Sequence, residues 1–411
     1  MVRDLELPRF KTWDLLKQIT RDYHEEGIRA PEEGRRVAWC TALSPHEFLS
    51  AMDFHLVFPE HESAVMGAMN TSVGLCQIAE DAGYPADLCS YARTNLGCAL
   101  AEGPIEDVQD LPKPDILMAC NNGCVTFNKW FQSLSRTLGV PLIFVDAPFL
   151  HDEADADAIE RVQKYTRQQL DALPALLQQL TQLRFDYDRL SECVANTRDS
   201  IGSWLAVQRL GQNRPSPISS FDTYNLLLPL VCMRSRSEAV HFAETLKMEV
   251  AERVADGIAA IPGEKYRLYL DGPPPWFGTR KLARKFAGLQ ACVITGIYTL
   301  VFECFQELDS SRPIETLAEA LTTQYANQGV KHRTEILLRH MEQYHLDGMI
   351  MQWPQTCKPV FIGQYDQIEA IRQKGVPCLI IEGDMCDSRL YNEADTAARI
   401  EAFIETLAGR D

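Results

Sequence analysis

The sequence predicts an α/β protein with two parallel-sheet halves, on three observations. Each half alternates short apolar strands with helix-like segments, the signature of βαβ units. The strands correspond in pairs: Asp115-Ile-Leu-Met-Ala-Cys120 matches Asp347-Gly-Met-Ile-Met351, and Val140-Pro-Leu-Ile-Phe-Val145 matches Val376-Pro-Cys-Leu-Ile-Ile381. A cysteine follows the first member of each pair at nearly the same interval, Cys124 after Asp115 and Cys357 after Asp347.

Residues 1–30 read as a polar helical arm. In the first domain, residues 31–195, Val37-Ala-Trp-Cys-Thr-Ala-Leu43 is a buried strand, and Pro45-His-Glu-Phe-Leu49 opens a helix with proline near its first turn. The Asp115 strand leads into a helical segment from about Val125 and then to the Val140 strand. From Leu150 the chain favours helix, opening on the acidic His151-Asp-Glu-Ala-Asp-Ala-Asp157, with Leu170, Leu173, Leu176 and Leu177 at helical spacing. Residues 196–264 form a helical connecting region whose segment from Arg236 to Ile261 stops at Pro262-Gly263. The second domain, residues 265–411, opens with the strand Tyr266-Arg-Leu-Tyr-Leu270 and the turn Gly272-Pro-Pro-Pro-Trp276, a place where a nucleotide-like moiety could approach. Both third strands begin Val-Pro and end at an acid, Asp146 or Glu382.

Composition narrows the function. The chain has 411 residues, 46% apolar, enough for a substantial core and two or three domains. Lys and Arg total 40 against 57 Asp and Glu, a net charge of -17, which opposes binding to nucleic acid or to anionic membranes. The opening Met-Val-Arg-Asp-Leu-Glu lacks a basic region with an apolar segment after it, and no run approaches ~18 apolar residues, so a cytoplasmic location is expected. Thirteen cysteines are too sparse for a disulfide scaffold, which leaves metal ligation or burial as small hydrophobes. Cys232, Cys292, Cys304 and Cys378 suit the second role. No GxxxxGK[ST] loop is present, so nucleotide hydrolysis is not expected of this chain.

Cys89, Cys124 and Cys357 differ from those four because polar or turn-forming residues flank them. They lack the close paired spacing of a zinc ribbon, and loops beyond parallel strand ends can converge. Three such thiolates would hold three irons of a [4Fe–4S] cluster and leave the fourth free for a Lewis-acid role, with Asn121, Asn122 and Thr356 available to donate to its sulfides.

The motifs Phe58-Pro-Glu-His-Glu-Ser-Ala64, Asp87-Leu-Cys-Ser-Tyr-Ala-Arg-Thr-Asn-Leu-Gly97, Cys120-Asn-Asn-Gly-Cys124 with Lys129-Trp130, Val145-Asp-Ala-Pro148, Thr356-Cys-Lys-Pro359 and Glu382-Gly-Asp-Met-Cys-Asp-Ser-Arg389 resemble the 2-hydroxyacyl-CoA dehydratase and benzoyl-CoA reductase subunit family. The resemblance spans about residues 35–405. It implies two Rossmann-like domains with helical additions, a homologous partner subunit in a heterodimer or a homodimer, and a separate ATP-dependent iron–sulfur activator that injects a low-potential electron. It further implies oxygen-sensitive chemistry in anaerobic metabolism. In a dehydratase of this kind, the thioester carbonyl of a 2-hydroxyacyl-CoA is reduced to a ketyl radical, the 2-hydroxyl leaves, a β-proton is lost, and return of the electron yields the 2-enoyl-CoA.

By the matching motifs Cys89, Cys124 and Cys357 inherit the cluster-ligand roles. Glu60 is the candidate acid/base, with His61 beside it. Thr41 is a candidate catalytic hydroxyl and Ser44 a candidate substrate contact, with Ala42 as the other position the motif can align. Arg93 either binds substrate anions or braces the Cys89 loop. Asp384, Asp387 and Arg389 are expected to form an ion-pair network. Other readings are a benzoyl-CoA-reductase-like subunit, a small-molecule reductase with an [8Fe–9S] double-cubane cluster recruiting Cys76, Cys98, Cys120 or Cys386, and a noncatalytic electron-transfer subunit.

Overall fold

A computed structural model describes residues 7–101, 103, 108 and 111–409. The first six residues of the expected N-terminal arm lie outside the described residues. Among those described, the chain forms an α/β fold with two parallel four-stranded sheets and many flanking helices, as expected of Rossmann-like domains.

The first sheet comprises β1 (Val37–Cys40), β2 (His55–Val57), β3 (Ile116–Cys120) and β4 (Leu142–Val145), in the order β2-β1-β3-β4. The second comprises β5 (Tyr266–Asp271), β6 (Ala291–Thr295), β7 (Gly348–Pro354) and β8 (Cys378–Gly383), in the equivalent order β6-β5-β7-β8. Parallel sheets are covered by helices on both faces, and β1, β3 and β6 are accordingly buried along their whole lengths. Six of the eight strands coincide with the expected apolar runs. Two of the four edge strands, β2 and β6, correspond to no expected strand.

The duplication extends to hydrogen bonds. Val37 N–H donates to the Asp115 carboxylate at 2.8 Å, and Arg267 N–H donates to that of Asp347 at 2.7 Å. In each half an acid that opens the third strand thus pins the first strand, fixing the register of the central pair. A second parallel lies at the far end. Asn121, after β3, donates to Asp146, after β4, at 2.5 Å; the Thr356 hydroxyl, after β7, donates to Asp384, after β8, also at 2.5 Å. The acid that braces the second half is therefore Asp384, two residues beyond the Glu382 singled out by the sequence match.

The helix Thr12–Arg29 lies against the edge of the first sheet, where Tyr23 Oη donates to the Leu56 carbonyl at 2.7 Å. Between the sheets, the long helices Ala156–Thr181 and Tyr187–Leu210 precede Ser237–Ala255, which packs on Tyr187–Leu210. The middle region also supplies Arg234, fully buried, whose Nε donates to Glu47 at 3.0 Å while its Nη atoms donate to the carbonyls of Ala42 at 2.5 Å and Ser44 at 3.0 Å. That guanidinium holds the loop leaving β1.

In both sheets the chain turns to opposite sides of the first strand, so the crevices lie beyond the carboxyl ends of β1 with β3 and of β5 with β7. Loops from both crevices meet at one cavity. No helix among the described residues is long and apolar enough to cross a membrane.

Removing one partner of a buried, multiply bonded ion pair leaves the other charge uncompensated. Arg234→Ala is therefore expected to destabilise the fold by roughly 3–5 kcal/mol, read as a lower urea midpoint for the first unfolding transition.

Candidate functional site

The three cysteines stand at equivalent local positions. Cys89 is the N-cap of the helix Ser90–Leu100, Cys357 is the N-cap of the short helix Lys358–Phe361, and Cys124 immediately precedes Val125, the N-cap of Thr126–Leu138. Backbone amides of the following turn, of Ala92, Phe127 and Val360, favour the negatively charged form of the respective sulfurs. Cys124 Sγ also accepts from Thr126 N–H at 3.3 Å. Amides at a helix start favour negative charge, so the local backbone suits thiolates.

All three thiols line one cavity of about 400 Å³ and influence one another electrostatically. Burial raises all three pKa values, that of Cys357 to about 12, and the neighbouring thiols add to the rise at Cys89 and Cys357. Without an added cation they stay protonated. Among the described residues no group of three or more His, Cys, Asp or Glu side chains is arranged to hold a single metal ion. A donor set of three separated thiols around an open space, each already offered an amide, fits a polynuclear iron–sulfur group better than one ion. Cys76, Cys98, Cys120 and Cys386 do not line this cavity. Cys386, for example, donates its thiol to the Ser63 carbonyl at 3.1 Å.

The supporting loops are cross-linked. Ser90 N–H, beside Cys89, donates to the Thr356 hydroxyl at 3.0 Å. Asn122 donates to the Leu43 carbonyl at 3.1 Å, joining the loops that follow β3 and β1. Asn121, Asn122 and Thr356 thus direct their donors at protein acceptors and brace the cysteine loops, where donation to cluster sulfides was expected.

Glu60 and His61 reach the cavity from the helix Pro59–Ala68, which begins just past β2 with proline in its first turn. Ala42 N–H donates to Glu60 Oε2 at 2.7 Å, and Glu60 makes no other hydrogen bond among the described residues. Burial raises its pKa to about 7, against the opposing pull of that amide. Burial lowers His61 to about 4, and its Nε2 has no hydrogen-bond partner among the described residues. Near neutrality Glu60 is poised between acid and base, whereas His61 is neutral.

The other candidates lie behind the wall. Thr41 Oγ1 accepts from Cys120 N–H at 3.2 Å, Ser44 Oγ donates to the Thr41 carbonyl at 2.7 Å, and neither lines the cavity; Ala42 does. Arg93 is fully buried, paired with Glu80 and with Asp387 at 2.9 Å, and its Nε donates to the Leu88 carbonyl at 2.9 Å. Its Nε and Nη1 hold the turn before Cys89, while Nη2 has no hydrogen-bond partner among the described residues. Arg389 joins the same network through Asp387 at 2.7 Å, while Asp384 instead bonds Thr356.

Sequence reasoning missed Tyr298 and Arg333. Tyr298 follows β6, and its hydroxyl lies 3.3 Å from that of Tyr91, which accepts from Trp276 Nε1 at 2.5 Å. Both unanticipated residues stand at the cavity wall. Position past a strand end was the available signal for Tyr298, and it required recognising β6.

Against this geometry, comparison with known proteins is consistent. The family profile described as 2-hydroxyglutaryl-CoA dehydratase, D-component, matches residues 41–407. The (R)-2-hydroxyisocaproyl-CoA dehydratase alpha subunit of Clostridioides difficile is 29% identical over 404 residues, covering 96% of each chain. The lactoyl-CoA dehydratase alpha subunit of Anaerotignum propionicum is 27% identical, over 97% of this chain and 96% of its own. A benzoyl-CoA reductase subunit of Thauera aromatica is also 27% identical, over 88% of this chain and 86% of its own. With its profile match running nearly end to end over the residues that build both sheets and the cavity, the chain belongs to the 2-hydroxyacyl-CoA dehydratase and benzoyl-CoA reductase subunit family.

Proposed function

We propose that this chain is the iron–sulfur subunit of a 2-hydroxyacyl-CoA dehydratase, converting a 2-hydroxyacyl-CoA to the 2-enoyl-CoA with net loss of water. The observation that carries this reading is the convergence of three helix-start thiols and one near-neutral carboxyl on a single apolar cavity. Cys89, Cys124 and Cys357 would hold a [4Fe–4S] cluster, which supplies one-electron chemistry and an iron free of protein thiolate. The reading includes a homologous subunit as partner and a separate ATP-dependent activator as electron source.

Glu60 performs the proton work. Its Oε2 is fixed by Ala42 N–H, and the protonated carboxyl donates to the departing 2-hydroxyl, which leaves as water. The carboxylate so formed can accept the proton lost from the β-carbon, which restores the acid. Ala42 leaves room for the thioester at the turn, where Arg234 fixes the backbone from behind. The wall contributed by Phe127, Trp130, Leu228, Val231 and Phe302 excludes water and takes an apolar acyl group. An aromatic acyl group fits the same wall, so reduction of an aromatic thioester is the second reading. Product analysis with benzoyl-CoA separates the two.

Anaerobic co-purification with the partner should give about four irons per chain, and Cys124→Ala should lower both iron and sulfide content. A chain without iron, or loading unchanged by Cys124→Ala, would falsify the cluster assignment. Because Glu60 must be protonated to act as the acid, kcat/KM should fall as pH rises through about 7. Glu60→Gln should lower kcat roughly 100-fold or more and remove that limb of the profile. In a series of unbranched substrates, each added methylene should raise kcat/KM about fourfold, equivalent to ~0.8 kcal/mol, until the cavity is full. A flat series would argue that the acyl chain lies elsewhere.

A further inference from the structure

Arg333 is a buried cation without an ion-pair partner among the described residues. It is 6% exposed, lines the cavity that holds the three thiols, and has no carboxylate within ion-pair distance among the described residues. Its hydrogen bonds are long: Nη1 donates to the Pro359 carbonyl at 3.4 Å, Nη2 donates to Gln367 Oε1 at 3.4 Å, and Nε has no partner. The Tyr325 ring lies 5.2 Å below the guanidinium carbon, and the Tyr325 hydroxyl accepts from Gln367 Nε2 at 3.1 Å, completing a neutral shelf.

Local backbone does not favour this placement. Arg333 occupies the first turn of the helix Val330–Gln343, where the helix dipole disfavours positive charge. Asp271 is the carboxyl that senses Arg333, but it is itself buried, bonded by Gln364 at 3.1 Å, and pushed by burial toward its neutral form. No carboxylate among the described residues forms an ion pair with Arg333, and the space it lines is the cavity. Pro359, which Arg333 contacts, is two residues from Cys357, and Arg333 and Cys357 line the same cavity.

We propose that the fixed charge of Arg333 sets the reduction potential at the Cys357 corner by stabilising the extra negative charge acquired on one-electron reduction. The electron comes from the separate low-potential iron–sulfur reductant already invoked, and this inference rests on that proposed function. Arg333 acts through space on the bound group and is not assigned a proton or a bond to break. A partner-free cation here makes electron entry easier without placing an ionisable acid beside the thiols. The mostly apolar wall around it favours this role over recognition of a carboxylate on the substrate.

The test uses the anaerobic complex with its partner, comparing wild type, Arg333→Gln, Arg333→Lys and Gln367→Glu. Iron and sulfide are quantified first, and the midpoint potential is then measured by titration followed by EPR. Arg333→Gln should keep its iron and be about tenfold harder to reduce, a midpoint about 59 mV lower. Arg333→Lys, which keeps the charge, should stay near wild type. Gln367→Glu retains side-chain size and pairs the guanidinium with a new carboxylate, so its midpoint should move in the same direction as Arg333→Gln. It decides the matter if Arg333→Gln does not fold. Iron-loaded variants with wild-type potentials overturn the assignment of Arg333 while leaving the proposed function intact. A wild-type potential with selective loss of affinity for acyl-CoAs ending in a carboxylate also overturns it, by assigning Arg333 to substrate. A wild-type chain without iron overturns both.

Discussion

The Thr356 hydroxyl accepts a hydrogen bond from Ser90 N–H and donates one to Asp384, so a single buried group ties the helix that starts at Cys89 to the loop that carries Cys357. The two cysteines come from different halves of the chain, and their separation depends on this junction. Around it, Arg93 joins the Cys89 turn to Asp387, and Ser72 donates to the Cys386 carbonyl at 2.6 Å. The Arg93 and Ser72 bonds join the first half of the chain to the last thirty residues. Their common burial matters, because in a low-dielectric interior such bonds weaken little and an unpaired group costs much. Relative movement of the halves would break several at once, which gives the three thiols a fixed spacing before any ligand arrives.

That rigidity explains how polar residues are distributed near the cavity. The charged groups behind the wall are ion-paired with one another: Arg234 with Glu47, besides two carbonyls, and Arg93 with Glu80 and Asp387. Their work is to hold loops. Charged or titratable groups that face the cavity are fewer and less completely bonded. Glu60 has one amide, His61 has a free Nε2, and Arg333 has only long contacts. The difference separates scaffold from chemistry more cleanly than residue type does, since Arg93 is ion-paired twice and Arg333 has no ion pair among the described residues.

The central strands were legible because a strand buried on both faces must be a nearly continuous apolar run, and Val37–Cys40, Ile116–Cys120 and Gly348–Pro354 are such runs. The edge strand His55–Val57 spans only three residues and carries no period of its own; Ala291–Thr295 is apolar enough but offered no partner in the sequence match. The site was legible to the extent that motif residues stand at helix starts, as with Cys89, Cys124, Cys357 and Glu60. Thr41 and Ser44 flank Ala42 in the turn after β1, Arg93 stands one helical turn beyond Cys89, and spacing cannot tell which way a turn directs its side chains. The β1 turn exposes Ala42 and buries its two hydroxyl neighbours. Arg333 was invisible for another reason: it belongs to a helix start with no motif around it, and only three-dimensional accounting shows that its charge lacks a partner.

The duplication also explains why the cavity can combine unlike chemical roles. Cys124 follows β3 and Cys357 follows β7, equivalent strands in the two sheets. Equivalent edge strands precede Glu60 and Tyr298, each three residues beyond its strand end, and Glu60 is among the groups that raise the Tyr298 pKa. Ala42 and the Gly272-Pro273 turn follow the equivalent central strands β1 and β5, and all three residues line the cavity. A repeated fold therefore presents the same set of strand ends twice, facing one space. Where the same residue was retained, it forms a shared thiol set; where the residues diverged, one half offers a carboxyl near its titration midpoint and the other a phenol held protonated by burial. Cys89 has no counterpart in this scheme because it caps a helix between β2 and β3. The third thiol is thus one that the duplication does not double, and Glu60 lines the same space as all three.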